Sequence, residues 1–390
     1  MKLFRSVLFW LHLAAGLLAG LAIGIMCFTG AALAFEKQII AWAERDARQI
    51  AVPTAATPVS LTALVQSARA VAPESKPVTL TIAAEPNTAV AIARGRGDVV
   101  YANPYTGEVR LPASTRVRDT LKFLEQLHRV LALSGDQRPI GKAINGACNV
   151  AFCFLALSGL YLWWPRSLSS RSVRAVAVLN WRLTGKARDF NWHNALGLWT
   201  APVLIVLTLT ALPISYRWAS NGVFRLFGDT PPAANNEGPA RDAAAAREGN
   251  SPSDRAAPVP DLDLLLACAR AEMPNAESYT LRLNAPPRAA TAAVIVREPN
   301  TWPRTANTTL TLDAKTGAVV RRESFDDLTA GRRARTWTRF LHTGEALGLV
   351  GQLVAGLACL GGCVLVYTGF ALAWRRFFPA KRAAAATAAA

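Results

Sequence analysis

Four residues of this 390-residue chain have side chains that could hold a metal or cofactor in an apolar setting: His12, His128, His193 and His342. They are all the histidines it has. Phe9-Trp10-Leu11-His12-Leu13-Ala14-Ala15-Gly16-Leu17 stands at the mouth of a long apolar run, and Asn191-Trp192-His193-Asn194-Ala195-Leu196-Gly197-Leu198 repeats the Trp, the His and the Gly at the mouth of another. His128 and His342, each preceded by Leu, stand before the two remaining apolar runs. A polar ring in hydrocarbon needs a partner, so an intramembrane histidine is a functional residue by default. Neutral imidazole is a strong ligand for haem iron, and two imidazoles from facing helices close both axial positions, leaving a centre suited to electron transfer. For a single such histidine, anchoring a helix end at the membrane interface is the competing role. Four out of four, with none elsewhere, favours ligation. Gly16 and Gly197, one turn beyond a histidine, leave room for a flat macrocycle; close helix packing would use them equally well, together with Gly20 and Gly24.

The elements that must position these rings are membrane spans. From Ser6 to Phe35, Ala143 to Trp164, Asn191 to Tyr216 and Ala346 to Trp374 the only titratable charge-bearing groups are histidines, setting aside thiols and phenols. About 20 such residues cross a hydrocarbon core. A cleaved secretory signal is the competing reading of the first run, but that run is too long and carries His12 within it. Only Cys268 of the six cysteines lies outside the apolar runs, so no framework of disulfides is expected. Cys359 and Cys363 are expected to pack rather than bind metal.

The net charge of +17 raises the possibility of nucleic-acid binding, and the placement of the charges argues against it. Lys2 and Arg5 precede the first span, Arg166, Arg171, Arg174, Arg182, Lys186 and Arg188 lie between the second and third, and Arg375, Arg376, Lys381 and Arg382 follow the fourth. The positive-inside rule places those short flanks in the cytoplasm and the two long connections outside. The expected organisation is a span over 6–35, an outside domain over 36–127, and a His-bearing pre-helix with span over 128–165. A basic cytoplasmic loop over 166–190 and a span over 191–216 follow. A second outside domain covers 217–341, with a disordered Pro/Ala/Asn-rich insertion over 228–260; a His-bearing pre-helix with span over 342–374 and a cytoplasmic tail over 375–390 complete the chain. The first and third spans run in the same sense, so His12 pairs with His193 near the cytoplasmic face and His128 with His342 near the opposite face. A single straight helix from His342 to Arg375 would lift His342 roughly 50 Å above its flank. Breaks at Ser134-Gly135-Asp136-Gln137-Arg138-Pro139 and at Thr343-Gly344, with Gly348 and Gly351, are expected to fold the pre-helices back toward the bilayer.

Each outside domain reads as one helix on a small antiparallel sheet. In the first, a helix over Leu61–Val71 precedes strands near Val78–Ile82, Ala89–Ile92 and Val99–Ala102 and a Thr106-Gly107 turn. In the second, a helix over Asp261–Ala271 precedes strands near Tyr279–Leu283, Ala293–Val296 and Thr309–Val319. An offset of 210 residues carries Thr106-Gly107 onto Thr316-Gly317 and Ser158-Gly159 onto Thr368-Gly369. A tandem duplication accounts for this. The fold class is therefore a membrane all-α four-helix bundle with two small α+β domains.

The Trp/His/Gly motifs, Tyr101-Ala102-Asn103-Pro104-Tyr105-Thr106-Gly107-Glu108-Val109, Leu127-His128-Arg129 and Ser158-Gly159-Leu160-Tyr161-Leu162-Trp163-Trp164-Pro165 together resemble the PepSY-associated transmembrane helix family. The resemblance covers nearly the whole chain apart from the 228–260 insertion. It implies a multi-pass protein of the Gram-negative inner membrane with PepSY-type periplasmic domains, and the family includes haem-containing reductases of ferric siderophores. The expectation is two b-type haems, ligated by His12/His193 and His128/His342, that pass electrons to a ferric siderophore or another periplasmic acceptor; if the pre-helices do not fold back, the outer pair binds something other than haem and only the inner haem exists. With no nucleotide-binding motif in the chain, a separate cytoplasmic reductase or membrane quinol must donate them. A non-enzymatic PepSY binding or regulatory protein and a transporter of an iron chelate are the competing readings. The absence of acidic residues from the four apolar runs weighs against the transporter. Trp163, Trp164, Trp192, Trp199, Trp337 and Trp374 are expected to anchor at the membrane interface.

Overall fold

The computed structural model describes residues 2–54, 57–71, 78–94, 98–164, 169–232, 261–283 and 290–378. The insertion expected over 228–260 lies outside the described residues from 233 onward, as do Pro165, Arg166, Lys381 and Arg382. The chain divides into two compact units. One contains the chain up to Phe35, Leu121–Ser220 and the chain from Trp337; the other contains Glu36–Thr120 and Asn221–Thr336.

Twelve helices and eight strands are described. The helical unit is built on four long helices, each long and apolar enough to cross a membrane. α1 spans Lys2–Leu33. In the second unit, α2 (Glu36–Ala43), α3 (Arg45–Arg48) and α4 (Leu61–Val71) follow it. α5 (Arg116–Val130) carries His128 and leads to α6 (Arg138–Trp163), which starts with Pro139, a residue suited to a first turn where its missing N–H goes unneeded. A short α7 (Ser170–Ala177) precedes α8 (Gly185–Ser215). α9 (Arg217–Leu226) and α10 (Leu262–Glu272) come next, and α11 (Ala330–His342) ends on a histidine before α12 (Gly348–Phe377). α1 packs on α6 and α12, and α8 packs on the same two. The four long helices therefore form a closed ring with α1 opposite α8 and α6 opposite α12.

Small residues allow this ring to close tightly. A Cβ at Gly362 of α12 would lie 2.5 Å from the Cys27 sulfur of α1, and one at Gly361 would lie 2.5 Å from Thr200 of α8. Close packing of this kind leaves no space for a methyl group without movement. The cysteines are free thiols, and Cys27 and Cys359 are buried in the apolar clusters between the helices.

The second unit overturns the expectation of two separate small sheets. Its strands are β1 (Thr79–Ala83), β2 (Val90–Ala93), β3 (Val99–Ala102), β4 (Val109–Arg110), β5 (Ser278–Arg282), β6 (Thr291–Arg297), β7 (Thr308–Asp313) and β8 (Val319–Glu323). They form one antiparallel sheet in the order β4-β3-β2-β1-β5-β6-β7-β8. β1 and β5 pair from Thr79 opposite Arg282 to Ala83 opposite Ser278, and the Thr81 and Thr280 hydroxyls lie 3.0 Å apart across that seam. The physical reason is that each expected sheet would otherwise end on an unpaired strand, whose exposed N–H and C=O groups invite a partner. Alternate residues of β1 and β5 point inward, placing Leu80, Ile82, Tyr279 and Leu281 in a single core with Leu64 of α4 and Leu265 of α10. The expected run Thr309–Val319 splits into β7 and β8 around Gly317, whose φ of +71° favours glycine. Gly107 turns likewise at +73°. Asn103 and Asp313 brace these two turns, each accepting from the backbone N–H two residues on at 2.9 Å.

Candidate cofactor-binding site

All four histidines belong to the helical unit. His12 and His193 are on α1 and α8, opposite members of the ring, and lie close enough for a charge on His12 to be felt at His193. His128 and His342, carried by α5 and α11, face one another with ring centres 6.2 Å apart and planes inclined at 55°. The structure thus sets the His128 and His342 rings face to face and puts His12 and His193 on opposite helices of one ring.

The second pair reaches the bundle through two corners. After α5, Leu131 and Ala132 adopt φ of +53° and +58°, and the chain reverses into α6. After α11, Gly344 and Gly348, at +75° and +65°, do the same before α12. Contact is too close for any side chain: a Cβ at Gly141 would lie 2.1 Å from the Val130 carbonyl oxygen, and one at Gly351 would lie 2.2 Å from that of Gly344. Asn145 of α6 also donates to the His128 carbonyl at 3.0 Å. The folded-back helices set His128 beside Thr29 of α1 and His342 beside Thr210 of α8. Thr29 is seventeen residues beyond His12, and Thr210 seventeen beyond His193. At about 1.5 Å per residue, the two histidine levels are roughly 25 Å apart along the bundle.

Each imidazole is held by Nδ1. His12 Nδ1 lies 2.8 Å from the Ser158 hydroxyl, His193 Nδ1 2.9 Å from that of Thr368, and His128 Nδ1 2.8 Å from that of Thr29. His342 Nδ1 lies 2.9 Å from the Leu207 carbonyl oxygen and 3.5 Å from the Thr210 hydroxyl. A hydroxyl has one proton to give. Ser158 gives it to the Phe154 carbonyl at 2.6 Å, Thr368 to Val364 at 2.7 Å and Thr29 to Ile25 at 2.7 Å. Those hydroxyls must then accept from the imidazole, and a carbonyl can only accept. His342 therefore carries its proton on Nδ1, and the same arrangement in the other three rings, with the hydroxyls donating to their own helices, presents an unprotonated Nε2 in each. That tautomer is required of an Nε2 metal ligand, whose other nitrogen commonly donates to an outer partner.

The residues fit a metal macrocycle. Metal–imidazole bonds of about 2 Å on opposite faces of one ion set two ring centres roughly 6 Å apart, close to the separation found for His128 and His342. Glycine accompanies three of the rings: a Cβ at Gly159 would be 3.4 Å from His12 Cε1, at Gly369 3.6 Å from His193 Cε1, and at Gly30 3.3 Å from His128 Cε1. Gly16 and Gly197 are less crowded, with only Leu155 at 3.9 Å and Leu365 at 3.8 Å from a built Cβ. Among the described residues, no three His, Cys, Asp or Glu side chains gather as a metal site.

Sequence reasoning missed the acceptors. Ser158-Gly159 and Thr368-Gly369 were legible as a repeated dipeptide, but nothing in it says that the hydroxyl holds a histidine from another helix. It also missed Asp189, because α8 begins at Gly185, before the expected span. Asp189 is fully buried, so an acidic residue does lie in a membrane-crossing helix. Its carboxylate accepts from Arg188 at 2.8 Å and from Arg375 of α12. At the same end, Arg5 of α1 donates to the Leu162 carbonyl of α6, and Arg376 of α12 lies over the Phe9 and Trp10 rings of α1. These arginines tie neighbouring helices together. Trp199 and Trp374 are largely exposed.

A ring of four apolar helices, joined in chain order to a sheet unit and carrying paired histidines, defines a membrane-spanning class of protein. Within that class the chain belongs to the PepSY-associated TM region family, whose model matches residues 9–376. No curated protein matches the sequence.

Proposed function

We propose that the protein is a b-type cytochrome of the cell inner membrane, with His12/His193 and His128/His342 each holding one haem. The observation that carries this reading is the common setting of the four histidines: each Nδ1 lies 2.8 to 2.9 Å from a protein oxygen, an arrangement that leaves Nε2 as the nitrogen for a metal. A haem iron held by two imidazoles gains and loses single electrons and keeps no open position for oxygen. The chain supplies what such groups require. Ser158, Thr368, Thr29 and Leu207 orient the rings, and Gly159, Gly369 and Gly30 keep side chains away from them. The apolar helices exclude water.

Positive flanks place the ends where α1 and α8 begin in the cytoplasm and the sheet unit in the periplasm. Electrons then pass from the His12/His193 side to the His128/His342 side and on to a periplasmic acceptor. By family resemblance the acceptor is a ferric siderophore, which binds its iron more weakly once reduced. The donor is a separate cytoplasmic reductase or quinol. An internal duplication accounts for the matching halves. Asp189 does not favour a transporter, because its carboxylate is already held by two arginines.

The test is a dithionite-reduced minus oxidised absorption spectrum with haem counted per polypeptide. Two haems are expected in the native chain, with one lost in His12→Ala and the other in His342→Ala. Absence of Soret and α bands would overturn the reading.

A further inference from the structure

Three histidines rest on a hydroxyl residue followed by glycine, and the fourth does not. Ser158-Gly159 serves His12, Thr368-Gly369 serves His193 and Thr29-Gly30 serves His128. The 181-residue step that carries His12 onto His193 carries Thr29-Gly30 onto Thr210-Ala211. At this fourth place the hydroxyl is not the main partner. His342 Nδ1 is 3.5 Å from Thr210 and 2.9 Å from the Leu207 carbonyl.

Ala211 puts a methyl group where each of the other three cradles has a glycine hydrogen. In the other three cradles the imidazole Cε1 stands 3.3 to 3.6 Å from where a Cβ on the glycine would be. At Gly159 and Gly369 these are ordinary contact distances, whereas at Gly30, the position equivalent to Ala211, the 3.3 Å is tight enough that a methyl group would make the ring give by a few tenths of an ångström. Each cradle served by a threonine also offers the carbonyl three residues earlier. The Met26 and Leu365 carbonyls also face His128 and His193, and the equivalent carbonyl for His342 is Leu207. A ring pushed away from the Thr210 hydroxyl therefore has a ready acceptor. Thr210 gives its own proton to Val206 at 2.6 Å, as the other hydroxyls do to their helices, so hydroxyl orientation is not the cause.

The exchange matters electronically. A carbonyl oxygen carries more negative charge than a hydroxyl oxygen and draws more strongly on the Nδ1 proton. A more strongly held proton makes the imidazole a more basic ligand. A more basic ligand stabilises the oxidised metal. We propose that Ala211 acts as a tuning residue: by holding His342 off the Thr210 hydroxyl and onto the Leu207 carbonyl, it lowers the reduction potential of the His128/His342 centre. This rests on the haem reading above and names a device built into one of its two sites. It gives the centre that faces the acceptor a greater driving force than three hydroxyl-type cradles and a fourth alike would provide.

The experiment is an optical redox titration of the full-length, haem-loaded protein. Ala211→Gly should raise one midpoint potential, that of the haem lost in His342→Ala, and leave the other unchanged. Thr210→Val should leave both where they are, because the hydroxyl it removes is not the main partner. Thr210→Val added to Ala211→Gly should undo the rise. An Ala211→Gly protein that keeps two haems and titrates like the native chain would overturn the proposal, and so would a Thr210→Val shift as large as that of Ala211→Gly. If Ala211→Gly fails to retain the haem, Thr210→Val decides: unchanged potentials support the carbonyl assignment, and a raised one removes it. A native chain without haem would instead fail at the earlier spectrum, which separates failure of the function from failure of this inference.

Discussion

His128 and His342 are 214 residues apart in the chain, and their ring centres stand 6.2 Å apart in the folded protein. Neither belongs to a membrane-crossing helix. Each is delivered by a helix followed by a left-handed corner, at Leu131 and Ala132 in one case and at Gly344 and Gly348 in the other.

If that facing arrangement holds one group, removing either ring must remove the same group. His128→Ala and His342→Ala should therefore give the same spectrum, and the double variant should match either single one. The pyridine haemochrome assay checks this by counting haem. Different residual spectra in the two single variants would mean that the rings serve separate sites.

The corners should be sensitive to a single methyl group. Gly141→Ala and Gly351→Ala each drive a Cβ into backbone that cannot yield, at a cost of about 1–3 kcal/mol or more. Both should lower the thermal midpoint in detergent and deplete the haem that depends on His342. Ala132→Gly acts in the opposite direction, relieving a left-handed residue worth about 1–2 kcal/mol. It should raise the midpoint.

The sheet unit should lose stability at high pH. The Tyr101 hydroxyl donates to Glu44 at 2.5 Å, and Glu44 also binds Arg118. Burial and the neighbouring carboxylate push the Tyr101 hydroxyl up to about 12 from its ordinary 10.0. A raised value means that the folded state holds its proton more tightly. The resulting stability is fully present below pH 10 and is lost as pH rises toward about 12. Hydrogen exchange of the sheet amides should show that loss, and Tyr101→Phe should flatten it. Glu44→Gln leaves Arg118 partly buried without its countercharge and should cost about 3 kcal/mol.

The β1–β5 seam should make the sheet unfold as a whole. Thr280→Pro removes a backbone donor from β5, a central strand with a neighbour on each side. Exchange should then rise together in β2–β3 and in β6–β7. A rise confined to β6–β7 would mean that the halves fold independently.

The sequence by itself determined the four membrane-crossing runs, because a hydrocarbon core demands uncharged length and nothing else in this chain supplies it. It also suggested which histidines to pair, from the sense that the arginine-rich flanks imply for each run. The corner before α12 was legible from Gly344 and Gly348, residues whose backbone preferences are local, whereas the one after α5 turns at Leu131 and Ala132, ahead of the expected break at Ser134 to Pro139. What only the tertiary structure decided depends on contacts between distant segments. Ser158 and Thr368 could be seen to repeat, but which imidazole each would hold follows from how α6 and α12 pack against α1 and α8. The joining of two expected sheets at β1 and β5 has no local signal, because any half-buried strand with a free edge can accept a partner. The difference between Gly30 and Ala211 is plain in the sequence, yet it acquired meaning only when the structure set His128 against Gly30 and His342 beside Thr210 and Leu207.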